Sequence, residues 1–145
     1  MAYSELTDYM TEMAHDDLAR LTGNPTGQAH NVARLVYAIE ISDNEIDAFL
    51  KGRYQVPFDP LPRLINSISI SLTFANLYTI TYPRTMLPMN ISNRRDNAYD
   101  ILKKLQTGEM VLERGNPSQS SPPPIFSNKT NVTKPLKSLI IDFDN

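Results

Sequence analysis

The chain has no cysteine, two histidines and five glycines. Without cysteine there is no disulfide framework, no thiolate nucleophile and no cysteine-held zinc. His15 and His30 have no nucleophile or carboxylate at a diagnostic spacing, so general acid–base chemistry lacks a positioned partner and a cap or loop role is expected for both. There is no Gly-x-Gly-x-x-Gly run and no phosphate loop. Asp43, Glu45 and Asp47 resemble a cation site at first sight, yet the glycine and twelfth-position glutamate of a calcium loop are missing. Asp43 and Asp47 stand at i,i+4, as do Asp47 and Lys51, which reads as a solvated or ion-paired helix face. No catalytic residue, no cofactor and no metal are therefore expected, and the chain does not read as an enzyme.

Long apolar runs are missing too. None approaches the roughly 20 residues that a membrane-spanning helix needs, and no secretory signal is seen. The glycosylation-like triplets at Asn90, Asn128 and Asn131 carry no meaning without one. A net charge of −2 argues against a general nucleic-acid binder, whose domains are usually strongly basic.

What is present is a 145-residue chain, 41% hydrophobic and 21% charged, a balance that suits a soluble globular domain. The charge is uneven. Residues 1–60 hold ten acids against four bases, and residues 61–145 six acids against ten bases. Halves of opposite sign can complement each other between stacked copies, although simple solvated surfaces give the same counts.

The longest helical signal is Val32 to Leu50, where Val32, Leu35, Val36, Ile39, Ile46, Phe49 and Leu50 recur at three- and four-residue steps. Ser42 and Asp43 interrupt that stripe where an apolar residue is due. Gly52 is expected to end the helix in the left-handed conformation, and Pro57 places Val56 outside it. Upstream, Ser4 caps a short helix over Glu5–Met13 and His15 or Asp16 caps a second through Leu21. Both are marginal alone, so Leu6, Tyr9, Met10, Met13, Leu18 and Leu21 must dock. Thr22 to Gly27 is a loop by its turn chemistry, and the central helix starts between Gln28 and Val32.

Ser67 to Phe74 alternates polar and apolar as a strand would. However, Pro62 suits a helix start, and no glycine or proline follows until Pro83. Twenty residues without a turn signal are too many for one strand. At helical period Leu61, Leu64, Ile65, Ile68, Leu72 and Ala75 form one stripe, and Ile70, Phe74 and Leu77 a second, which predicts a buried helix from Leu61 to about Ile80. A last helix opens at Asn90 or Ser92, turns Ala98, Ile101, Leu102 and Leu105 inward, and closes at Gly108. Glu109 to Glu113 add a possible short strand. The fold class is thus all-α, with about five helices in a small bundle-like domain over residues 1–114.

Residues 115–127 form a stiff Pro/Ser-rich linker around Pro122-Pro123-Pro124. Residues 128–145 form an extended C-terminal arm ending in Leu136, Leu139, Ile140, Ile141 and Phe143. The arm's end is too apolar for a solvated tail and short enough to add as a strand to an exposed sheet edge. From Asn116 the thirty residues to the C-terminus reach on the order of 100 Å if fully extended, enough to cross a neighbouring subunit. The arm is therefore expected to grip a partner.

The run Ile46-Asp47-Ala48-Phe49-Leu50-Lys51-Gly52-Arg53-Tyr54, followed by Val56-Pro57, resembles the head–tail connector (neck adaptor) proteins of Mu-like tailed bacteriophages. The likeness continues through Leu61-Pro62-x-Leu64-Ile65 and covers roughly residues 3–114. What the resemblance implies is a structural protein of the virion neck, assembled in the host cytoplasm. Such proteins form a homo-oligomeric ring, typically of twelve copies, below the portal protein. They extend the DNA channel without sequence-specific recognition and dock the next neck or tail-completion protein. On that reading Arg53 either reaches a neighbouring subunit or returns to Asp47 or a helix end, while Tyr54 packs on the central helix. The alternative is a DNA-binding or packaging-regulator protein using the N-terminal helix pair as a helix-turn-helix. Against it, Arg20 is that pair's only cation among several acids.

Overall fold

The computed structural model describes residues 2–24, 26–27 and 29–112. Five helices follow in order: α1 (Leu6–Glu12), α2 (His15–Leu21), α3 (Val32–Leu50), α4 (Arg63–Thr81) and α5 (Met89–Thr107). No strand occurs among the described residues, so the fold is all-α. The linker and the arm lie outside the described residues.

The alternating Ser67–Phe74 stretch is helical, as its flanking breakers require, and both of its apolar stripes are used. Ile65, Ile68 and Leu72 join Ile46, Leu50, Ala98, Leu102 and Leu105 in one cluster. Ile70, Phe74 and Leu77 join Leu35, Ala38, Ile39, Tyr9, Leu18 and Leu21 in the other. Because the C-terminal half of α3 meets the N-terminal half of α4, and the reverse, the two helices run antiparallel. α4 is consequently the helix that every other part packs around, and α5 returns along it to complete the first cluster.

Several local expectations are corrected. Ser4 is no cap: Glu5 precedes α1, and Ser4 is buried. Ala14 precedes α2, with His15 as its first helical residue. Neither Asn90 nor Ser92 opens α5, which begins at Met89 after the extended Pro88. Residues 109–112 form no strand; Leu112 is buried in the first cluster. Met10, Val32 and Val36 point to solvent instead of docking.

The two helix ends predicted from glycine differ. Gly108 closes α5 at φ 86°, the left-handed geometry, which any side chain with a Cβ resists. Gly52 does not adopt positive φ. α3 ends at Leu50, and Arg53 and Tyr54 donate their backbone N–H groups to the Leu50 carbonyl at 3.0 and 2.8 Å. A turn of right-handed backbone thus continues past the helix end without needing the glycine.

Candidate functional site

Where Ser42 and Asp43 break the apolar stripe of α3, the structure places a buried polar layer between the two clusters. Ser42 and Asp43 from α3 face Ser69 and Thr73 from α4, and all four are buried. The Ser69 hydroxyl donates to Asp43 Oδ1 at 2.8 Å, and the Thr73 hydroxyl and the Asn76 amide bond Ser42 Oγ at 3.0 and 2.9 Å. These small polar side chains let the helices approach closely at their midpoint, at the cost of needing every group paired.

The N-terminal segment completes the pairing. Tyr3 is 1% exposed. Its backbone N–H donates to Asp43 Oδ2 at 2.9 Å, and its hydroxyl donates to Asp47 Oδ1 at 2.5 Å. The same hydroxyl accepts from the Phe58 backbone at 3.2 Å, and the Tyr3 carbonyl accepts from Asn66 at 2.8 Å. Ser4 Oγ links Ser69 Oγ (2.9 Å) to the Tyr9 hydroxyl (2.6 Å). Two residues in a bend ahead of α1 thereby tie α1, α3, α4 and the α3–α4 connection together.

The electrostatics follow from burial. Desolvation raises the Asp43 pKa above its ordinary value, and the hydrogen bonds from the Tyr3 backbone and Ser69 oppose that rise. Burial pushes Tyr9 up to about 12, with hydrogen bonds to Ser4 and Thr73 working against it. Tyr99 also rises to about 12, through burial and its 2.5 Å bond to Glu45 across α5 and α3. Asp43 is thus not on the solvated face expected for it. Asp47 is not paired with Lys51 or Arg53, since its partner is the Tyr3 hydroxyl. This layer is structural chemistry: it fixes the register of α3 against α4.

Arg53 is exposed, and its guanidinium lies over the C-terminal end of α5. A Cβ added to Gly108 would sit 2.6 Å from Arg53 Nη1. A cation suits that end of a helix, and Arg53 makes no ion pair among the described residues. Tyr54 is buried among Ile46, Leu50 and Phe58, with its ring 5.9 Å from that of Phe58. Its hydroxyl faces the Leu112 backbone N–H at 3.5 Å. The Gly-Arg-Tyr element therefore holds the point where the described chain leaves the bundle. Leu136, Leu139, Ile140, Ile141 and Phe143 lie outside the described residues.

Two features had no signal in the sequence. The His15 and His30 rings meet edge to face at 5.2 Å, tying the start of α2 to the loop before α3. In addition, seven of the eight large apolar side chains exposed among the described residues cluster at one end of the bundle. Met10, Val32, Val36, Tyr37, Tyr82, Met86 and Met89 stand on α1, on the start of α3 and around the α4–α5 connection, and only Val111 lies at the other end. Met86 and Met89, in and after the α4–α5 connection, are 90% and 79% exposed. Helical period alone marks Val32 and Val36 as core, and only the packed structure shows that nothing covers them.

No curated protein matches the chain. The family model for Bacteriophage Mu, Gp36 matches residues 3–126, which spans all five helices and the whole polar layer. The chain therefore belongs to the bacteriophage Mu Gp36 family, which makes it a phage structural or morphogenesis protein.

Proposed function

We propose that the protein is a head–tail connector: a neck adaptor that forms a ring below the portal, extends the DNA channel and presents a docking surface to the next neck or tail component. The observation that carries this reading is the one-sided exposure of apolar side chains in a member of a phage protein family. Single exposed apolar residues need no explanation, but a group of seven confined to one end marks an interaction surface. Val32, Val36 and Tyr37 stand on adjacent turns of α3, and Met86 and Met89 stand on a different segment. Two dissimilar patches suit a head-to-tail ring, in which each subunit offers one surface and receives another. Methionine at such a surface adapts its shape to the partner.

The helix-turn-helix alternative has less support. α2 would be its reading helix, and Asp16 and Asp17 are exposed on it beside Arg20. Carboxylates there repel phosphate.

The reading is tested by removing the protein from the phage that encodes it. Filled heads and separate tails that fail to join are expected, and addition of the purified protein should join them in vitro. Normal infectious particles formed without it would sink the proposal.

A further inference from the structure

A groove of about 710 Å³ runs between the N-terminal segment and the outer side of α3. Leu6, Val36, Ile39 and Pro57 supply its apolar lining, and Glu5, Glu40, Asp43 and Asp47 contribute four carboxylates and no cation. None of the ion pairs among the described residues uses any of the four. Asp43 and Asp47 are occupied by Tyr3, whereas Glu40 is exposed and faces water. An apolar channel with the exposed Glu40 carboxylate at its edge suits an extended segment that carries lysines among aliphatic residues.

The chain itself contains such a segment. Residues 114–141 hold four bases, Arg114, Lys129, Lys134 and Lys137, and no acid. Lys134 and Lys137 flank Pro135-Leu136, and Leu139, Ile140 and Ile141 follow directly. The described residues contain no strand, so another copy of this domain offers the arm no sheet edge there; what it offers is this groove. The linker between Leu112 and Lys134 is long enough to cover up to about 70 Å if extended, which is sufficient to reach a neighbouring copy.

We propose that the acidic groove along α3 receives the Lys134–Ile141 segment of a second copy of the chain. Lys134 and Lys137 neutralise the groove carboxylates, Glu40 foremost, and Leu136 and Leu139 cover the exposed Val36. Successive subunits are thereby strapped together. The inference rests on the ring-forming reading above and names the contact that would close the ring.

The absence of cysteine makes a clean test possible. Full-length Asn44→Cys and full-length Ser138→Cys proteins are mixed at low salt with oxidised glutathione, after circular dichroism has established that both are folded. The expected product is a disulfide-linked heterodimer, formed well ahead of the mixture in which Asn97→Cys replaces Asn44→Cys. Adding Glu40→Lys to the groove partner should abolish it, and adding Lys134→Glu and Lys137→Glu to the arm partner should restore it. Raising the salt should weaken the trapping, as screened ion pairs require. No heterodimer above the Asn97→Cys control would overturn the proposal. So would a single chain carrying both cysteines that closes only on itself, because the arm would then occupy its own groove. Failure of trapping alongside intact head–tail joining would remove this contact and leave the adaptor reading standing; trapping without any role in joining would do the reverse.

Discussion

The two apolar clusters of this bundle are built from the same helices and closed in different ways. The first, around Ile46, Ile65 and Leu102, is covered by α5 and by the connection carrying Tyr54 and Phe58. Among the described residues, its end exposes a single large apolar side chain. The second, around Leu35, Ile39 and Phe74, is covered by α1 and α2, seven residues each. Helices that short do not stand without tertiary contacts. They are held by burying Tyr9, Leu18 and Leu21 and by individual bonds: Thr81 to the Leu21 carbonyl at 2.6 Å, and Arg94 to Glu12 at 2.9 Å with its guanidinium over the Phe74 ring. The end that is closed most lightly is also the end that leaves apolar surface open. On the proposed reading, the first half supplies stability and the second supplies the surface.

The largest effect that would test this division is expected in the first cluster. Ile68 is 2% exposed, and truncating a buried isoleucine costs about 2–5 kcal/mol. Ile68→Ala is therefore expected to lower the melting temperature of the whole domain, read by circular dichroism. An unchanged transition would mean that the first cluster is not the stabilising half.

The polar layer between the halves comes next. Asp43→Ala leaves the buried Tyr3 N–H and the Ser69 hydroxyl without their acceptor, at a cost of about 1–3 kcal/mol. Its pH dependence has a definite sign. The folded pKa of Asp43 is raised above the ordinary value of 3.8, so the folded state holds this proton more tightly than the unfolded chain. That contribution is fully present below 3.8 and is lost as the pH rises through the folded value. The melting temperature of the wild type relative to Asp43→Asn is thus expected to be most favourable in acid and to decline toward neutrality. A difference that grows with pH would contradict the burial argument.

Smaller effects separate the two glycines. Gly108→Ala forces an L-residue into left-handed backbone, worth about 1–2 kcal/mol, whereas Arg53, being exposed, can move aside. Gly52 has no atom within 4 Å of a would-be Cβ, and Gly52→Ala is expected to change stability by no more than about 0.5 kcal/mol. Chemical denaturation of the pair measures the contrast. The smallest effect on stability belongs to the open end. Met86→Ser with Met89→Ser should leave the monomer within about 0.5 kcal/mol while impairing head–tail joining. Loss of stability without loss of joining would reverse the roles assigned to the two halves.

The sequence shows this division only in part. α4 is readable despite its Ser/Ile alternation because Pro62 and Pro83 bracket a length no strand fills, and both of its predicted stripes became clusters. The break at Ser42 and Asp43 was visible as a gap in periodicity. Its meaning was not, because the groups that satisfy it come from Tyr3 and Ser69, forty and twenty-six positions away. A lone tyrosine outside any helix has no period to betray it. Gly52 misled for the opposite reason: a local rule predicted a left-handed cap where the backbone simply continued its turn. The exposed valines of α3 share the period of its buried residues, so only packing distinguishes them.

The attachment of Tyr3 and Ser4 sets an order in time. Their partners Asp43 and Ser69 come forty and sixty-five positions later in the chain. At bacterial and eukaryotic elongation rates the wait for Ser69 is roughly 3–13 s. During that wait Ser4 lacks its Ser69 partner, and α1 and α2 have no α4 to pack against. The Tyr3–Ser4 segment therefore completes its bonds only once both α3 and α4 are present, because it draws partners from each.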